Sequence, residues 1–114
     1  MNDPLPQPYQ KFLTTHPQIA QAYQTLGEAA RAAGPLDAKE QALVKLGLAI
    51  GARLEGATHA HTRRALEAGC TPDEIRHAAL LAVTTLGFPA MMTALTWVED
   101  LLSQPAANAA ADSA

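Results

Sequence analysis

Apolar residues recur at helical spacing along most of the chain, and no segment alternates convincingly with period two. Ile19, Tyr23, Leu26 and Ala30 fall on one face of a helix that Thr15 caps, with Pro17 in its first turn and Gly34-Pro35 as its stop. Asp37-Ala-Lys-Glu40 is an Asp variant of the capping box and opens a helix expected to run to about Leu54. Its middle, Leu43–Ile50, is apolar almost all round, which places it at the centre of the fold. Thr58–Ala68 forms the next helix, after a loosening at Gly56, and Gly69 is its left-handed terminator. Thr71-Pro-Asp-Glu74 combines a cap, a proline at the first helical position and a glutamate at the third, and starts a helix expected over Ile75–Leu86. Gly87-Phe-Pro89 turns the chain into a last helix over Ala90–Ser103. The reading is all-α: a single-domain bundle of about five to six helices.

The ends read differently. Pro4, Pro6 and Pro8 keep the first residues extended, with a short helical turn around Tyr9–Leu13. The tail Gln104–Ala114 is small and polar and is expected to be disordered. The expected division is therefore an N-terminal segment over 1–14, a helical domain over 15–103 and a tail over 104–114.

Composition sharpens this picture. Apolar residues make up 48% of the 114 residues but aromatics only 4%, so the core must be built from Ala, Leu, Val and Ile. Such a core buries little area per residue. Two nearly all-apolar helices are hard to cover in a chain this short, so part of that surface, including Met91, Met92 and Trp97, is expected to face another subunit. A net charge of -3 argues against nucleic acid or an anionic membrane as partner. No stretch is long and apolar enough to span a bilayer, and Met1–Pro8 has neither a basic start nor an apolar run, so a cytoplasmic location is expected.

Chemistry would fall to the histidines. His59 and His61 sit two residues apart, which on a helix turns them about 200° from each other. Only a helix starting near Thr58 would let them share an ion, with Glu55 or His77 as third ligand; no metal site and no cofactor are expected. His61 has Ala57 and Ala65 at helical spacing and is the candidate acid or base; the alternative is a half-buried histidine bonded to a carbonyl. Arg63, Arg64 and His59 are the candidate substrate contacts, an arginine clamping a carboxylate, although solvated arginines often pair only with acids such as Glu67. The single cysteine, Cys70, excludes an internal disulfide; a helix N-terminus just after it would favour a thiolate, but with no partner cysteine it is read as a small buried or semi-exposed side chain.

Taken in order, Leu36-Asp-Ala-Lys-Glu-Gln-Ala-Leu-Val44, His61-Thr-Arg-Arg-Ala65, Gly69-Cys-Thr-Pro-Asp-Glu-Ile75 and Gly87-Phe-Pro-Ala90 resemble the carboxymuconolactone decarboxylase family, which includes the alkylhydroperoxidase D-like proteins. The resemblance implies intertwined all-α subunits forming homo-oligomers (dimers, trimers or hexamers). In the peroxidase branch a glutamate and a Cys-x-x-Cys-x-x-x-His motif reduce peroxide; the matching positions here are Ala42, Leu54, Ala57 and His61, so only the histidine is retained. The decarboxylase branch uses no cofactor and implies His61 as proton donor, with Arg63 or Arg64 holding a carboxylate. The resemblance thus points to a small acid or lactone-like metabolite bound or converted by acid/base chemistry at His61. An inactive oligomeric binding or scaffold protein is the second reading. Peroxide reduction, the third, lacks its thiols.

Overall fold

A computed structural model describes residues 7–104, so all but Gln104 of the tail assigned to 104–114, and the segment holding Pro4 and Pro6, lie outside the described residues. Among the described residues there are six α-helices, one 3₁₀ turn and no strand. They are α1 (Gln7–Thr15), α2 (Pro17–Ala32), α3 (Ala38–Gly51), α4 (Glu55–Glu67), α5 (Pro72–Leu80), the 3₁₀ turn Leu81–Thr84 and α6 (Phe88–Leu102). None is long and apolar enough to cross a membrane. The chain divides into two compact units, residues 1–35 and 36–114.

The first unit carries α1 and α2. Pro8 lies inside the first turn of α1 rather than in an extended lead, as a proline can where no intrahelical donor is required. Thr15 ends α1 instead of capping α2: its hydroxyl donates to the Lys11 carbonyl at 2.7 Å, and His16 takes the cap position without a side-chain bond. Pro17 still occupies the first turn of α2. The stripe read from periodicity is real but uncovered, with Ile19, Tyr23 and Leu26 all exposed.

In the second unit both capping boxes form. Asp37 accepts from the Glu40 amide while Glu40 accepts from the Asp37 amide, and Thr71 and Glu74 do the same at the start of α5. Leu46 and Ile50 of α3, Ala65 of α4, Ile75 and Ala79 of α5, and Met91, Ala94, Val98 and Leu102 of α6 make one core. Its many alanines let the helices approach closely. Charged pairs tie the rim. Arg76 of α5 donates to both carboxylate oxygens of Glu99 on α6, at 2.7 and 3.1 Å, and Lys39 lies 3.4 Å from Glu74.

Three expectations require correction. The helix begun by Thr71 ends at Leu80, and the chain continues as a 3₁₀ turn, because the β-branched run Val83-Thr84-Thr85 and Gly87 support an α-helix poorly. The Met91 side chain is buried in its own core and Trp97 is half-buried; of the three residues assigned to an interface only Met92 is exposed. The uncovered apolar surface of this unit is instead that of Val44, Leu48, Leu54, Leu81 and Phe88, so α3 is central on one side only.

The third correction concerns the turn between α3 and α4. The helix α3 stops at Gly51, and Arg53, at φ 61°, adopts the left-handed conformation while the Leu54 amide reaches back to the Ala49 carbonyl at 3.2 Å. Gly69, at φ 97°, closes α4 in the same way, with the Cys70 amide on the Ala65 carbonyl at 2.9 Å. Glycine adopts this conformation freely, whereas a side chain costs about 1 kcal/mol. Two opposite effects follow in urea unfolding: Gly69→Ala destabilises by about 1 kcal/mol, and Arg53→Gly stabilises by up to about 1 kcal/mol.

Candidate functional site

Because α4 starts at Glu55, with Leu54 as its cap residue, His59 and His61 are both fully helical. The late helix start that would have joined them does not occur, and they face opposite ways. His59 turns toward α6, where its Nε2 lies 2.9 Å from Asp100 Oδ2. Arg63, four residues on from His59, shares that side of the helix, is half-buried and makes no ion pair among the described residues.

His61 is half-buried and makes no hydrogen bond to another described residue. Burial, the Arg64 guanidinium and the Lys45 ammonium together hold its pKa below the ordinary histidine value. Arg64, three residues on from His61, is the arginine whose charge acts on it. Lys45 arrives from α3. It was not singled out from sequence, although it is the one charge within the apolar run Leu43–Ile50. A neutral imidazole between two cations accepts protons weakly, gives them up readily, and sits where an anion is electrostatically welcome.

Of the positions matched by resemblance to the peroxidase motif, Leu54 is the α4 cap residue, Ala57 lies in the first turn of α4 and Ala42 is packed into the core. Cys70 lies outside this group. It is buried, and burial together with the Glu74 carboxylate pushes its thiol up, as the reading of a plain buried side chain requires and against the thiolate alternative. The helix dipole fails to decide here because the thiol faces the core and a neighbouring acid.

A model of the carboxymuconolactone decarboxylase family matches residues 17–100, from the first turn of α2 to Asp100. The chain belongs to that family. No curated protein and no solved structure matches it. The chain's single cysteine is consistent with a family variant that lacks the cysteine pair.

A cavity of about 430 Å³ opens elsewhere in the second unit, between α3 and α5. Leu43, Gly47 and Ile50 line one wall and Ala78, Ala82 and Leu86 the other, with Glu74, His77 and Thr85 as its polar groups. Neither His61 nor either arginine borders it. His77, considered from sequence as the alternative to Glu55 for a third metal ligand, belongs to this cavity instead.

The depressed pKa of His61 has a definite consequence for stability. The unfolded chain takes up the histidine proton near pH 6.5 while the folded chain does not, so this residue's contribution falls as pH drops from about 6.5 toward the folded pKa and is constant below it. In NMR titration His61 should protonate below the ordinary range, and Arg64→Ala and Lys45→Ala should each move it upward. Cys70 should react with a thiol reagent far more slowly in the native than in the unfolded protein.

Proposed function

We propose that this carboxymuconolactone decarboxylase-like protein binds a small carboxylate or lactone-like acid at His61, Arg64 and Lys45 and moves a proton on it by cofactor-free acid/base chemistry. One observation carries this reading: a half-buried imidazole held toward its neutral form by burial and by two cations from two helices. An anionic ligand placed there offsets both cations, so the pKa of His61 rises and the imidazole gains a proton. Loss of carbon dioxide from such a ligand breaks a carbon–carbon bond and leaves its electron pair delocalised as an enolate. The imidazolium then supplies the proton that replaces the carboxyl group, and Arg64 and Lys45 meet the enolate charge. Arg63, on the other side of α4, falls outside this arrangement, as does His59.

The second reading, an oligomeric binding or scaffold protein without catalysis, is favoured by one feature: the apolar cavity lies away from His61. Peroxide reduction has no nucleophile, since Cys70 is buried with a raised pKa. We also infer a homo-oligomer, because Leu48, Leu81 and Phe88 expose large apolar surfaces together with the α2 stripe.

The test is a screen of small unsaturated lactone acids, followed by binding and turnover measurements on wild type and variants. His61→Ala should retain fold and assembly yet abolish turnover. Arg64→Ala should weaken binding roughly 10- to 100-fold, the loss of one charge-assisted contact. The His61 resonance should titrate at higher pH with the acid bound. Binding without turnover, unchanged in His61→Ala, would establish the scaffold reading instead. In native mass spectrometry Leu48→Asp should shift the protein toward monomer.

A further inference from the structure

On the side of α4 away from His61, three side chains converge that no step of the proposed function uses. Glu55 and His59 stand four residues apart on α4, and Asp100 comes from the last turns of α6. One donor atom from each, a carboxylate oxygen, an imidazole nitrogen and a second carboxylate oxygen, lie within 4.8 Å of one another. Helical i, i+4 spacing is the standard way to aim two ligands at one ion from a single helix.

The charges are unbalanced. His59 is the partner of Asp100, at 2.9 Å, and Glu55 makes no ion pair or hydrogen bond among the described residues. With a neutral imidazole the group carries two negative charges and no lysine or arginine neutralises either carboxylate. Two donors about 2.1 Å from one ion at the tetrahedral angle stand about 3.4 Å apart, so the His59–Asp100 pair, at 2.9 Å, has to open only slightly to admit an ion. Glu55 is exposed at the start of its helix and its side chain has the freedom to close the remaining gap.

We propose that Glu55, His59 and Asp100 form a binding site for one divalent first-row transition ion, zinc being the probe of choice. One nitrogen and two carboxylate oxygens suit such ions, and the set matches a doubly charged cation in charge. The ion replaces the His59–Asp100 hydrogen bond with two coordinate bonds and fastens the start of α4 to the end of α6. Three protein ligands leave further positions to water. The folded chain is thereby stabilised in proportion to ion concentration, because the unfolded chain does not hold the three groups together.

Calorimetric titration of the full chain with zinc chloride, paired with melting curves, tests this. The expected result is saturable binding of one zinc per chain with a rise in melting temperature. Glu55→Gln and Asp100→Asn should each weaken binding by roughly 10- to 100-fold, at least the loss seen when only an outer-shell partner is removed. Glu55→Gln is the sharper variant, since Glu55 has no partner to lose in the ion-free protein. His61→Ala should leave zinc affinity unchanged, so failure here is separable from failure of the acid/base reading. Absence of saturable binding, affinity unaltered by both carboxylate variants, or loss of zinc in His61→Ala would each overturn the proposal.

Discussion

The left-handed turn at Arg53 sets what every side chain on α4 faces. It ends α3 at Gly51 and starts α4 at Glu55, so the helical phase is fixed before either histidine is reached. A start three residues later would leave His59 in a cap and bring it near His61. The earlier start instead commits His61 to the side of Lys45 and His59 to the side of Asp100. Thr58 and Thr62 then turn inward, where the Thr62 hydroxyl donates to the Thr58 carbonyl at 2.8 Å and the Thr58 hydroxyl is buried with no partner among the described residues. A conformation that costs a non-glycine residue about 1 kcal/mol is tolerated because packing of the whole helix depends on it.

Two electrostatic environments of opposite sign result, separated by the width of one helix. Around His61 the neighbours are cations on α3 and α4, and the imidazole is driven toward its neutral form. Around His59 stand the carboxylates of Glu55 on α4 and Asp100 on α6, with Arg63 one turn further along α4. The same residue type is therefore suited to an anion on one face and to a cation on the other. Composition contributes nothing to this distinction. It arises because residues two apart on a helix point nearly opposite ways and meet different neighbours.

How much of this was legible in the sequence depended on whether the deciding contact was local. The boxes at Asp37–Glu40 and Thr71–Glu74 and the terminator at Gly69 are made by residues three or four apart, and each appears where the spacing puts it. The divergence of His59 and His61 follows from helix geometry and was equally readable. Lys45 and Asp100 were not, since they reach their histidines across 16 and 41 residues of chain through packing. The exposed face of α3 failed for a related reason: an apolar run tells that burial is favourable but does not tell which flank a short chain has material to cover. Arg53 escaped because a left-handed arginine has no sequence signature, whereas a left-handed glycine does.

The missing thiols make the field around His61 more informative. In the thiol-bearing branch that the chain resembles, the positions of Leu54 and Ala57 hold groups that become negative, and a helix N-terminus beside them favours that charge. Here those positions are apolar, while Arg64 and Lys45 place positive charge near His61. Positive potential with no internal anion to meet it destabilises the folded chain slightly, and His61 answers by staying unprotonated. On the function proposed for this site, the negative charge that offsets both cations is carried by the ligand.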